Sequence, residues 1–185
     1  MKLTSRCLFL LRGAEGTEET PGEPKELDPA EEPVKSIQLE YDIIDFESYI
    51  FPGPALFVSA AFCGETRFVR TTFCDDAVFG SATFSGEALF ESATFSGVAR
   101  FDSAAFSDYA SFRTATFTGR IWFDSASFDK SVYFQNCIFR SFAILRLATF
   151  KHYASFEGAH FEADADFNPS AKPPALLERL TAVQH

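Results

Sequence analysis

The sequence predicts an all-β solenoid, a chain of short strands wound on a fixed period. Three patterns carry that prediction. The first is a beat of phenylalanine: Phe46, Phe51, Phe57, Phe62, Phe68, Phe73, Phe79, Phe84, Phe90, Phe95, Phe101, Phe106, Phe112, Phe117, Phe123, Phe128, Phe134 and Phe139 follow one another in alternate steps of five and six. Leu145 takes the next beat, Phe150, Phe156, Phe161 and Phe167 complete the run, and of 24 phenylalanines only Phe9 and Phe142 fall off it. The true period is therefore 11 residues. The second pattern is a small residue two places before most beats, as at Ala82, Ala88, Ala93, Ala99, Ala104, Ala110 and Ala115, with Thr66, Thr71, Ile121, Val132 and Cys137 as substitutes. Residues two apart share one face of an extended chain, so alanine and ring point the same way, into a core. The third is what the spacing excludes. On a helix, steps of five and six put successive rings at roughly 0°, 140° and 20°, smeared over two faces. A single straight strand of this length is unknown in globular proteins. Short extended segments that bend at regular intervals remain.

The elements follow in order. The opening MKLTSRCLFLLRG holds only Cys7–Leu11 as an apolar run, too short and too closely flanked by Arg6 and Arg12 for a secretory signal or a membrane span. A cytoplasmic protein is expected. Residues 13–33 are Glu, Pro, Gly and Thr with hardly an apolar side chain, so residues 1–35 read as a disordered acidic tail. Ser36–Tyr49 turns apolar and β-branched and reads as a lead-in strand covering the first coil, with a bend at Pro52, Gly53 and Pro54. The repeat domain is assigned to residues 36–168. Its five-residue steps carry small polar corners such as Gly80-Ser81-Ala82-Thr83. In its six-residue steps the second residue after the ring is Gly64, Asp75, Gly86, Gly97, Asp108 or Gly119. Glycine and aspartate there suggest a bulge-like corner with positive φ. After Pro169 the tail PPALLERLTAVQH spaces Leu176, Leu177, Leu180 and Val183 as on a helix. Residues 169–185 are thus expected to form a short C-terminal α-helix that caps the open end of the array, or pairs two chains as a homodimer through residues 174–184.

The unit of a small residue two places before a central phenylalanine resembles the pentapeptide-repeat family, over Phe46–Phe167. The resemblance implies a right-handed quadrilateral β-helix with four units per coil. The extra residue in every second unit would then give about 22 residues per coil, a wider bore that suits rings in place of leucines. Cys63 and Cys74, 11 apart, discriminate: with 22 residues per coil they lie on opposite faces, with 11 they stack directly. On either reading Phe79, Phe84, Phe90, Phe95, Phe101, Phe106, Phe112, Phe117, Phe123 and Phe128 are structural core, not a cofactor box.

Little in the chain points to catalysis. Only His152, His160 and His185 are present, no nucleophile has a base at recognisable spacing, and the glycines sit singly at corners. No catalytic residue, cofactor or metal is assigned. HFEADADF places His160, Glu162, Asp164 and Asp166 at alternate positions, and a solvated acidic face outweighs calcium there. A net charge of −10 argues against direct nucleic-acid binding. What stands out is a change of outward character: Trp122, Tyr133, Phe142, Ile144 and Tyr153 should project from the repeat near Arg120, Lys130, Arg140, Arg146 and Lys151. Outward aromatics beside arginine suit a protein interface; packing against a terminal segment is the alternative. A non-enzymatic scaffold with an unidentified protein partner is expected, the interface drawn from Trp122, Tyr133, Phe142, Ile144, Tyr153, Arg120 and Arg140. By resemblance, a second reading is an acidic DNA mimic that binds a type II topoisomerase. The mildly acidic repeat, nine basic against thirteen acidic residues over 55–167, speaks against it. Ice binding through Thr72, Thr94 and Thr116 fails because Ile138 and His160 interrupt that file.

Overall fold

The computed structural model describes residues 43–167 together with the two-residue strand Gln38–Leu39. The acidic tail and the C-terminal helix expected from the sequence lie outside the described residues. Strands of two or three residues, β1 (Gln38–Leu39), β2 (Ile43–Asp45), β3 (Ile50–Phe51) and β4 (Ala55–Leu56), form the first coil, and the order repeats to β24 (Ala165–Asp166). They assemble into four parallel six-stranded sheets, each taking every fourth strand. These are walls A to D of a six-coil parallel β-solenoid. One coil shows the pattern: Thr83–Phe84 on wall A, Ala88–Leu89 on B, Thr94–Phe95 on C and Ala99–Arg100 on D.

Register fixes the coil at 22 residues, since Thr94 lies opposite Thr72 below and Thr116 above. Cys63 therefore follows a wall A strand and Cys74 a wall C strand, on opposite sides and both exposed. The first coil alone differs on wall A, where Gln38 pairs with Ala61 at an offset of 23. Where it is described, the lead-in segment is part of the first coil and not a cover over it, contrary to expectation. Its residues Ile43–Asp45 are the first strand of wall B, in register with Glu65–Arg67.

The rings form four columns, one to each wall, carried in the strand on walls A and C and directly after it on walls B and D. Along a column stacked centroids are 4.4–5.2 Å apart and the rings are nearly parallel, as for Phe84–Phe106 at 4.7 Å and 2°. That spacing is the strand separation imposed by the backbone ladder. Between columns the rings meet edge to face, for example Phe90–Phe101 at 5.4 Å and 87°, the geometry their quadrupoles favour. Ten successive rings from Phe79 to Phe128 are at most 1 % exposed, so the bore is filled with side chains. Leu145 takes a ring's place at 2 % exposure.

The two corner types differ from the expected assignment. Positive φ falls in the five-residue steps, at Ser48, Ser59, Arg70, Ser81, Ser92, Ser103, Thr114, Ser125, Asn136, Leu147 and Gly158. Each of these follows a ring, or Leu145, by two residues, inside a turn such as that closed by the Ala82 amide on the Phe79 carbonyl at 3.0 Å. With only the third residue of the turn at positive φ, this is a type II turn. Left-handed backbone costs a non-glycine residue about 1–2 kcal/mol, yet it persists because stacking dictates it: the Ser81 amide donates to the Asp102 carbonyl of the next coil at 2.8 Å. The six-residue corners hold glycine for another reason, close approach. A Cβ on Gly119 would stand 2.1 Å from the Gly97 carbonyl oxygen, and one on Gly86 would stand 2.7 Å from the Gly64 carbonyl carbon.

Where the inner alanine is replaced, the substitute can brace the stack. Thr71 Oγ1 donates to the Phe46 carbonyl at 2.7 Å, and Cys137 Sγ donates to the Phe112 carbonyl at 2.8 Å, each reaching the coil below. Burial pushes the Cys137 thiol up to about 12.

Candidate functional site

A filled bore leaves the outer walls as the surface on which function can be built. An outward position recurs every 22 residues, so each wall carries files of side chains one strand spacing apart. Walls B and D face away from each other, and the residues singled out in the sequence divide between them.

Wall D carries the file Leu56, Val78, Arg100, Trp122, Ile144 and Asp166, fixed by strand register. The Arg100 guanidinium lies over the Trp122 ring at 4.7 Å and is itself held by Asp102 through bonds of 2.9 and 3.2 Å. Ile144 stands in register above Trp122. Beside this file, at the corner between walls C and D, Arg120 lies one coil below Phe142, and Phe142 is 45 % exposed. Arg120 is exposed and makes no ion pair among the described residues. Arg140, at the end of wall C, faces Glu162 at 3.9 Å. Arg146 lies between Asp124 at 3.8 Å and Asp166 at 3.6 Å. The Trp122 indole Nε1–H is buried with no acceptor among the described residues, a state that costs about 1–3 kcal/mol.

Tyr133 belongs to wall B, and Tyr153 precedes the last strand of that wall. Here the aromatics are engaged with one another and with the scaffold. Tyr133 lies 5.3 Å from Tyr109 and 5.8 Å from Tyr153, ring to ring, and Arg113 sits over the Tyr133 ring at 4.2 Å. Arg113 also donates to Tyr109 Oη and to Gln135 Oε1, each at 2.8 Å. In register below and above Tyr133 stand Ser111 and Ser155, outward by alternation yet buried, with Ser111 Oγ donating to Glu91 at 2.7 Å. Two small side chains thus leave room for one large ring to lie flat, which makes wall B a packed satellite cluster.

The structure therefore brings Trp122, Ile144, Phe142 and Arg120 together, keeps Arg140 at the wall C end of the same corner, and sends Tyr133 and Tyr153 to the far wall. Lys151 is paired with Asp129 at 2.8 Å, and Lys130 stands at the corner between walls A and B. The partners Arg100, Tyr109, Ser111 and Arg113 did not stand out in the sequence. Reading the outward files at intervals of 22 would have found Arg100 below Trp122 and Ser111 below Tyr133. The acidic run also divides: His160 is on wall C, Glu162 turns to Arg140, and Asp166 on wall D faces Arg146. Among the described residues no three His, Cys, Asp or Glu side chains are placed to hold a metal ion, and no helix is long and apolar enough to cross a membrane.

A family profile described as pentapeptide repeats (9 copies) matches residues 79–127 and again 123–170. A comparison with curated proteins gave no match.

Proposed function

Because the chain belongs to the pentapeptide-repeat family, whose coils leave only walls to act with, we propose that it is a non-enzymatic scaffold that docks a protein partner on wall D. The observation that carries this reading is the coincidence, on wall D and at its corner with wall C, of an exposed Phe142, the Trp122 ring, and an exposed Arg120 that has no counter-ion among the described residues. Tryptophan and arginine ringed by apolar contacts are the usual anchors of a binding surface. The aromatics of wall B satisfy one another, so they are scaffold. The acidic side chains at positions 102, 124, 129, 162 and 166 are matched with arginine or lysine, which supports a protein partner over mimicry of a polyanion.

Three immobilised forms of the protein test the reading: the wild type, Trp122→Ser with Phe142→Ser on wall D, and Tyr133→Ser with Tyr153→Ser on wall B. A partner held by the wild type and the wall B variant but lost from the wall D variant is the expected result. Equal recovery on all three removes wall D from consideration. Partly exposed positions contribute little to the core, so the wall D variant should unfold within about 1 kcal/mol of the wild type.

A further inference from the structure

We propose that wall D pairs two copies of this chain, face to face and antiparallel, with the two-fold axis crossing the wall at the third coil. The inference rests on wall D being the docking surface and names its occupant. Two files of side chains decide it. The middle file runs Leu56, Val78, Arg100, Trp122, Ile144 and Asp166 from the first coil to the sixth. The file at the corner with wall C runs Pro54, Asp76, Val98, Arg120 and Phe142, one residue to a coil. Its register is set by the Ala55, Ala77, Ala99 and Ile121 amides, each of which donates to the carbonyl of the member one coil above.

A two-fold axis that lies in the interface and crosses the solenoid at right angles reverses the order of the coils and keeps each corner against itself. Centred on the third coil, it sets the first coil of one copy on the fifth of the other, and the second on the fourth. Both files then match. Leu56, 65 % exposed, meets Ile144, and the exposed Pro54 meets Phe142. Val78 meets the Trp122 ring. Asp76 meets Arg120; both are exposed, and neither has an ion pair among the described residues. The Asp76 carboxylate accepts the Val98 amide at 2.8 Å, which fixes its place at the corner without neutralising it. Symmetry makes every one of these contacts twice.

On the axis Val98 meets Val98 and Arg100 meets Arg100. The like charges there are already compensated, because each Arg100 is held by Asp102 at 2.9 and 3.2 Å and lies over the Trp122 ring at 4.7 Å. Other settings match less well. Sliding one copy by a single coil sets Phe142 against Asp76 in one direction and Asp76 against Val98 in the other. A parallel pair sets Asp166 on Asp166 and leaves Asp76 facing Gly80. The matched patch spans four coil steps, about 19 Å. That is small beside a standard interface of about 800 Å² per partner, so the pair should form and part reversibly with concentration.

The test is sedimentation of the full chain over a concentration series, for the wild type, Asp76→Arg, Arg120→Asp and an equimolar mixture of the two variants. The wild type should dimerise as its concentration rises, and each variant alone should associate at least about tenfold more weakly, since like charges then face each other. The mixture should recover the wild-type association, because each variant offers the charge that the other lacks. Emission of Trp122, the only tryptophan, should move to shorter wavelength in step with the wild-type dimer. Should loss of the Val98 contact unfold Asp76→Arg, then Arg120→Asp and Leu56→Ser carry the test, each expected to weaken the dimer. A wild type that stays monomeric at every concentration overturns the pairing and leaves wall D itself to the three-form comparison above. A dimer indifferent to the charge reversals, with Trp122 emission unmoved, also overturns it and places the contact elsewhere. A mixture that fails to recover overturns the antiparallel setting.

Discussion

At the scale of the residue, two positions with the same side chain do different work. Gly119 is required because a Cβ would meet the backbone of the coil below at 2.1 Å, and a carbonyl in a stacked ladder cannot give way cheaply. Gly119→Ala should cost about 1–3 kcal/mol, read from the denaturant midpoint, as overpacking does in a tight core. Nothing lies within 4 Å of where a Cβ on Gly53 would stand, so Gly53→Ala should leave the midpoint unchanged or slightly raised. The buried Cys137 thiol gives a pH dependence whose sign can be stated in advance. Burial raises it to about 12, so between its ordinary value of 9.0 and 12 the unfolded chain releases a proton that the folded chain keeps. Its contribution to stability is therefore complete below about pH 9 and declines as the pH rises through that window. Cys137→Ala should flatten this part of the alkaline stability profile, and a profile identical to the wild type would contradict the burial-driven shift.

At the scale of the element, the unit is a ring in a column rather than a strand. Two-residue strands have no stability of their own; each is held by the ladder above and below and by the ring it delivers to the bore. Phe101 stacks on Phe79 at 4.8 Å and Phe123 at 5.0 Å and meets Phe90 and Phe112 edge to face. Phe101→Ala should cost about 3–5 kcal/mol, the range for a large ring deleted from a closed core. Phe161 has a stacking neighbour only below, at 4.4 Å, among the described residues, so Phe161→Ala should cost clearly less. Urea unfolding of the two variants checks the order, and equal losses would mean that the end of the array is as constrained as its middle.

At the scale of the whole repeat, the period of 11 makes the coil nearly two-fold symmetric about its own axis. Walls A and C share one corner order and one hydrogen-bond polarity, and walls B and D share the other. Deleting Gly80–Phe90, one period, joins Phe79 to Glu91 and leaves the alternation of five and six intact. That variant should fold cooperatively, with everything after the junction turned by half a coil. Deleting Glu91–Phe95 puts two six-residue steps in succession, stacks a glycine corner on a type II turn and mismatches the polarity of the ladders. It should lose cooperative thermal unfolding; a sharp transition in both would show that corner type does not have to match.

Much of this was legible in the sequence, and the division between what was and what was not has a physical basis. The beat and the small residue before it fixed the inner face, because alternation along an extended chain is a covalent matter that needs no neighbour. They led to Phe79–Phe128 as core and, with four units to a coil, to Cys63 and Cys74 on opposite sides. Composition could not locate positive φ, which falls on Ser81 and Leu147 and not on Gly86 or Gly97. There the conformation is set by hydrogen bonds between coils, and glycine is reserved for corners that touch. Nor could composition tell that Trp122 and Tyr133 belong to opposite walls, that Arg113 is spent on a tyrosine while Arg120 has no ion pair among the described residues, or that Ser111 is buried under a ring. Those facts are decided between residues about one coil apart, and only winding the chain brings them into contact.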